Sequence, residues 1–202
     1  MTLSTIQLRL LTRDCPDIPQ LVLINQEAFP PSERASIDGL FDSNDGGNLD
    51  MIGIYGEQGL LGFFAVRKLG SIRYLAYFAI SQTKRSGGIG SRALSLLKQF
   101  YPEGQIVVEF EAPDEAAENN TLRLRRRDFY LRNGFQKTGW FNFYDETEFE
   151  IACSQADFDL AAFEKFIAFL NSIVPINMPL PYRKDTACFP TKNPCSAPLP
   201  VV

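Results

Sequence analysis

The stretch Ile72-Arg73-Tyr74-Leu75-Ala76-Tyr77-Phe78-Ala79-Ile80 runs through Ser81-Gln82-Thr83-Lys84 into Arg85-Ser86-Gly87-Gly88-Ile89-Gly90-Ser91. It decides the fold. Ile72–Ile80 reads as a β-strand, rich in aromatic and apolar residues. After Gly90 the period changes: Ala93, Leu97 and Phe100 fall at i, i+4 and i+7 of a helix. A strand, a glycine-rich turn and a helix therefore follow one another. Gly87, Gly88 and Gly90 lack the Cβ atoms that would keep a ligand away from the backbone. The N–H groups of Gly88 to Ser91 are free at the positive end of that helix, where a pyrophosphate is the natural guest. Lys84, Arg85 and Arg92 add cationic charge nearby. Two nucleotide motifs are excluded: the turn ends in Gly90-Ser91 without the Gly-Lys-Ser/Thr of a phosphate loop, and G-x-G-x-x-G does not occur.

Upstream, Gln7–Leu11 reads as a short strand. A helix opens at Asp17, with Pro19 in its first turn and Leu21, Ile24 and Ala28 on one face. Pro30 and Pro31 stop it. A short helix over Ile37–Phe41 and an exposed loop over residues 42–48 lead to strands Met51–Tyr55 and Leu60–Lys68. With Ile72–Ile80 these make an antiparallel meander. Downstream, Pro102 and Gly104 end the helix, and Gln105–Ala112 is strand. Glu118–Asn133 is helix, Phe135–Tyr144 and Thr147–Cys153 are strands, and Phe158–Ile173 is a last helix. The expected fold is a single mixed α/β domain (α+β) over residues 1–174. Its central, mostly antiparallel sheet contains one parallel strand-helix-strand step and is flanked by helices. Residues 175–202 carry seven prolines and read as a Pro-rich tail, extended or disordered.

Composition narrows the chemistry. The 202 residues contain no histidine, so a Ser-His-Asp or Cys-His device and an imidazole metal site are unavailable. Proton transfer falls to carboxylates, Tyr, Lys, Cys or water. The four cysteines are scattered, as free thiols in a reducing cytosol are, although Cys188 and Cys195 are near enough in the tail to pair. The N-terminus has no signal-peptide pattern and no apolar run reaches the ~20 residues of a membrane span. The expectation is a cytoplasmic protein with no membrane, metal or nucleic-acid partner, the last argued from a net charge of -4.

The residues Arg85-x-x-Gly88-x-Gly90, after an apolar strand and before a helix, resemble the acetyl-coenzyme A signature of the GNAT superfamily of N-acetyltransferases. Phe129-Tyr130-Leu131-Arg132-Asn133-Gly134-Phe135 is similar to that superfamily's closing motif, a tyrosine followed by a Gly-Phe pair. The resemblance spans Gln7 to about Cys153. It implies acetyl-coenzyme A as cosubstrate, held by Phe78, Ala79, Ile80, Arg85, Ser86, Gly87, Gly88, Ile89, Gly90 and Ser91. It also implies a splay in the sheet beside Phe78 and Ile80, direct attack by an amine, and Tyr130 as the acid that protonates the leaving thiolate. The acceptor is a primary amine of a small molecule or peptide. Assembly as a homodimer is left open.

The base is not settled by the resemblance, because relatives often carry an acidic residue where this chain has Ala76. Glu109 and Glu111 share one face of a strand expected beside the cleft, and Glu33 is a third candidate. The run Arg125-Arg126-Arg127 wraps around its helix and reads as a solvated surface paired to Asp128 or Glu118, or else as an anion contact. The loops around Phe29–Ser43 and the hairpin Phe141–Thr147 are expected to line an acceptor site with acidic edges. Two other readings stay open: a coenzyme A-binding sensor without catalysis, and an RNA-binding module using the arginine helix.

Overall fold

The computed structural model describes residues 5–31, 33–85, 87–174 and 177–184. Seven strands form one sheet: β1 (Gln7–Leu10), β2 (Leu49–Gly56), β3 (Gly59–Leu69), β4 (Ile72–Ile80), β5 (Gln105–Glu111), β6 (Gln136–Tyr144) and β7 (Thr147–Cys153). The spatial order is β1-β2-β3-β4-β5-β7-β6. Every pairing is antiparallel except β4 with β5. Five helices accompany them: α1 (Ile18–Ala28), α2 (Ile37–Asp42), α3 (Ile89–Phe100), α4 (Asn120–Arg132) and α5 (Leu160–Ile173). Two single 3-10 turns, Asp45–Gly47 and Gln82–Lys84, complete the chain's regular structure among the described residues. The mixed sheet with one parallel step is thus the expected one.

Local chemistry sets the ends of these elements. Pro30 forces Phe29 to an extended conformation (φ -126, ψ 136) and ends α1. Asp17 begins that helix without capping it, because its carboxylate instead accepts the Tyr55 hydroxyl at 2.7 Å. Ser36 and Asp159 do cap α2 and α5, accepting from the N–H groups of Gly39 and Ala162. The β6–β7 hairpin closes on Asp145 and Glu146, both at positive φ (51 and 58) as a two-residue turn of that kind requires.

The sheet has a core on each face. One face carries α1, α2 and α5, with Leu21, Ile37, Phe63, Tyr74, Phe163 and Phe166 buried together. The other carries α3 and α4, with Phe64, Leu94, Leu97, Val108, Phe110 and Tyr130. Alternation along β5 therefore points Val107 and Glu109 to the α1/α5 face and Val108 and Phe110 to the α3/α4 face.

The parallel step is short. β4 and β5 are in register only from Ile72/Gln105 to Tyr74/Val107. Just beyond, the register of β3 with β4 slips, leaving Ala76 as a bulge that bends β4. The two strands part from there, and the opening between them is where the site forms. Residues 177–184 lie along β6: Tyr182 bridges Phe141, Met178 is buried, and Glu148 accepts both the Tyr182 hydroxyl and the Lys184 ammonium at 2.6 Å. Cys188 and Cys195 lie outside the described residues. Cys15 and Cys153 are free thiols.

Candidate active site

The glycine turn delivers β4 into α3. Gly87 and Gly88 sit at φ 74 and 72, and Gly88 is the residue from which α3 springs. A side chain would be strained at either position. The first helical bond runs from Arg92 N–H to Gly88 C=O at 3.1 Å. Gly88 to Ser91 therefore keep their N–H groups outside the helical ladder, at the positive end of a 12-residue helix. Gly90 is close-packed for another reason: a Cβ there would lie 3.2 Å from the Phe129 ring and 3.6 Å from that of Phe78.

The open edge of β4 follows from strand parity. Ser81 N–H donates to Leu61 C=O of β3 at 2.8 Å. Alternation then turns Ala79 and Tyr77 toward β3, and leaves the backbone groups of Phe78 and Ile80 on the side away from it. Arg85 Nε uses one of them, donating to Ile80 C=O at 3.0 Å and tying the turn to the strand end.

These parts border one cleft of 710 Å³. Phe78, Ala79 and Ile80 form one wall; Arg85, Gly87, Gly88, Ile89, Gly90 and Ser91 form its end. Nine of the ten residues expected to hold the cosubstrate thus line a single cavity; Ser86 lies outside the described residues. The rest of the lining is Lys84 and Glu111, with Ala28, Phe29, Pro30 and Glu33 at and after the end of α1, and Asn119, Leu122, Arg126, Phe129 and Arg132 along α4. Phe29, Pro30 and Glu33 belong to the loop expected beside the acceptor, whereas the stripe of α4 was not foreseen as lining. An exposed helix of low amphipathicity gave no sign that one stripe of it faces a cavity.

The three predicted catalytic side chains stand in different surroundings. Tyr130 is 1% exposed, stacked on Phe110 at 5.7 Å and edge-on to Phe129 and Phe135. It does not border the cleft, whereas its neighbour Phe129 does. Burial pushes its phenol above the ordinary range, partly offset by the Arg126 guanidinium. Glu111 borders the cleft and is held by α4: Arg123 lies 3.0 Å away, Arg126 3.7 Å, and Asn119 Nδ2 donates at 3.2 Å. Glu33 borders the same cleft; burial raises its pKa, Arg126 lowers it and Glu111 raises it.

Glu109 is apart from the cleft lining, two residues beyond the last β4–β5 pair and level with Ala76 across the opening. It is 3% exposed. Asn142 Nδ2 donates to it at 2.6 Å and the Tyr144 hydroxyl at 3.3 Å, with the Tyr74 hydroxyl at the 3.5 Å limit. Burial raises its pKa to about 7, against those three hydrogen bonds, which lower it. Glu109 and Tyr130 lie on opposite faces of the sheet, because Tyr130 stacks on Phe110 and Glu109 points the other way.

The arginine run departs from its surface reading. Arg126 pairs with Glu111, and Arg127 Nε donates at 2.7 Å to Glu150, whose side chain is 6% exposed. Strand carboxylates, not Asp128 or Glu118, take these cations. They are buried acids that need a counter-charge, while the helix acids are served by water. The hairpin residues 141–147 do not line the cleft.

No protein-family profile and no curated protein matches the chain. Solved structures do. A GNAT-family protein from Bacteroides thetaiotaomicron, assigned as an acetyltransferase, is 24% identical with a TM-score of 0.66, over 83% of this chain and 97% of its own. The ribosomal-protein-S18-alanine N-acetyltransferase of Escherichia coli is 17% identical with a TM-score of 0.55, over 76% and 97%. The PaiA N-acetyltransferase of Thermoplasma acidophilum, solved with coenzyme A, is 14% identical with a TM-score of 0.54, over 73% and 98%. With the splayed β4–β5 step and the glycine turn opening α3, these likenesses show that the chain has the fold of the GNAT acetyltransferases.

Proposed function

We propose that the protein is an acetyl-coenzyme A-dependent N-acetyltransferase that passes the acetyl group directly to a primary amine of a small molecule or peptide. The observation that carries this reading is the cleft. One cavity brings together the free N–H groups of Gly88–Ser91 and the edge of β4 at Phe78 and Ile80 that faces away from β3, tied at its end by Arg85. The first is a seat for a pyrophosphate and the second for the amides of a pantetheine arm. Coenzyme A in the Thermoplasma structure accords with that assignment.

Acetyl-coenzyme A supplies the activated thioester; the chain supplies position and protons. The amine nitrogen bonds to the acetyl carbon as the carbon–sulfur bond breaks. Glu109 suits the base that takes the ammonium proton, since burial holds its pKa at about 7, near the working pH. Glu111, held by two arginines, suits a structural part that fixes α4 to the rim. Tyr130 suits the acid that protonates the departing thiolate: burial keeps its phenol protonated, and it neighbours the cleft-lining Phe129. Acid and base then stand on opposite faces of the sheet, on either side of the opening where β4 and β5 separate.

Calorimetric titration with coenzyme A tests the assignment. Gly90→Val drives methyl groups against Phe129 and Phe78 at the cleft wall. Affinity should fall at least about tenfold, as expected when bulk displaces an anion from helix N–H groups. Unchanged affinity in a folded Gly90→Val protein removes the turn from the site.

A further inference from the structure

β6 leaves its ladder partway along and returns to it. Its pairing with β7 breaks after Lys137 and resumes at Phe141, opposite Glu150. In between, Gly139 takes a φ of 78, and the Trp140 N–H turns to the Thr138 hydroxyl at 3.1 Å. Asn142 follows directly on this irregular stretch. Its side chain is 0% exposed, and among the described residues one hydrogen bond holds it, from Nδ2 to the Glu109 carboxylate at 2.6 Å; its Oδ1 has no partner. A side chain held by one bond is placed by its backbone.

β6 is also the last strand of the sheet, so its outer edge has no strand beside it. At Phe141 that edge is nevertheless paired. Phe141 N–H donates to Tyr182 C=O at 2.9 Å, and Tyr182 N–H donates back to Phe141 C=O at 2.8 Å. Residues 177–184 carry this bridge as a strap fixed at both ends. At one end Met178 is buried in the α1/α5 core, and its N–H and C=O both bond the Asn171 carboxamide of α5 at 2.9 Å. At the other, Glu148 of β7 accepts from the Tyr182 hydroxyl and the Lys184 ammonium. Pro179 and Pro181 stiffen the span between them. Blunting an edge takes only a charge or a proline; two anchors and a reciprocal backbone pair fix a position.

We propose that the strap, through Tyr182, is a positioning device for Glu109: it holds Phe141 in place, and with it the Asn142 carboxamide that bonds the carboxylate. This rests on the reading of Glu109 as the base and adds to it a part for the C-terminal segment. Tyr182 does not border the cleft and acts only through β6. Phe141 and Asn142 point to opposite faces of their strand. Lys184 lies over the Phe141 ring, 4.4 Å from its centre, and so away from Glu109. The groups that face Glu109 are Tyr74 of β4, Ile151 of β7, and Asn142 and Tyr144 of β6, with Phe166 of α5 behind Tyr74. None of these carries a charge at neutral pH, so the Asn142 bond is the strap's route to the carboxylate.

The test reads that carboxyl group itself. Protein labelled with carbon-13 at the glutamate carboxyl carbons is titrated with pH by NMR, the Glu109 signal being the one lost in Glu109→Gln. In Tyr182→Pro the strap has no N–H to give Phe141. The Asn142 bond, which favours the charged carboxylate, should weaken, and the Glu109 midpoint should rise by about one pH unit, as for loss of a charge-assisted hydrogen bond. The acid limb of kcat against pH should rise with it, while coenzyme A affinity stays. Asn142→Ala removes the same bond directly and should reproduce the shift; adding Tyr182→Pro to it should move the midpoint no further. An unmoved midpoint in folded Tyr182→Pro overturns the proposal, as does an equal further shift on the Asn142→Ala background. If Tyr182→Pro does not fold, Asn171→Ala, which frees the Met178 end, decides by the same two readings. Failure of coenzyme A to bind overturns the acetyltransferase reading instead, and leaves the Glu109 titration readable.

Discussion

Replacing Glu109 by Gln should make the protein more stable at neutral and alkaline pH while it abolishes most of its activity. The buried carboxyl has its pKa raised from 4.5 to about 7. In the folded state it therefore holds its proton at pH values where the unfolded chain has already released it. Stability from this group is fully present below about 4.5, falls as the pH rises, and is lost above about 7. At 1.36 kcal/mol per pH unit the span corresponds to about 3 kcal/mol. Gln keeps the shape, can still accept from Asn142 Nδ2, and carries no charge to bury. At pH 8 the variant should thus unfold about 3 kcal/mol later than wild type, or roughly 6–12 °C higher in a domain of this size. At pH 4 the two should coincide. Thermal unfolding by circular dichroism from pH 4 to 9 reads the difference directly. A gap that does not widen with pH would refute the claim that Glu109 is buried without a cation. Turnover should fall by about 10²-fold in the same variant, as for loss of a general base.

Tyr130→Phe keeps the stack on Phe110 but removes the phenolic proton, so kcat should drop about 10²-fold with acetyl-coenzyme A affinity retained, measured by steady-state kinetics and calorimetry. Arg127→Met leaves Glu150 buried without its cation, and denaturant unfolding should show a loss of about 3 kcal/mol. Arg127→Met combined with Glu150→Gln should recover most of that loss, because the cost lies in the orphaned charge.

Much of the fold is legible in the sequence, for local reasons. Pro30, Pro102 and the glycines after Arg85 punctuate the chain by steric rules that operate within a few residues. Thr147–Cys153 and Ile72–Ile80 came out with their true ends because turns bound them tightly on both sides. The cosubstrate side of the site was equally local: the turn, the strand before it and the helix after it are one continuous segment. What the chain could not disclose depends on distant partners. That Glu111 is neutralised by Arg123 and Arg126, Glu150 by Arg127 and Glu109 by no cation among the described residues follows from how α4 lies over β5 and β7. Glu109 and Glu111 are alike in sequence and two residues apart on an alternating strand, but Glu109 faces the α1/α5 side while Glu111, at the strand's end, reaches the arginines of α4. Asn142 carried no signal at all, since a polar residue in an alternating strand ordinarily faces water.

A product balance decides whether the protein transfers acetyl groups to amines. The protein is incubated with acetyl-coenzyme A and a panel of primary amines, from alkylamines to peptide N-termini. Free coenzyme A thiol and N-acetylated amine are then quantified together by mass spectrometry. Equal amounts of the two are expected for at least one amine, with no product from tertiary amines and loss of both in Glu109→Gln and Tyr130→Phe. Tight coenzyme A binding with no N-acetylated product from any amine would contradict the proposed transfer.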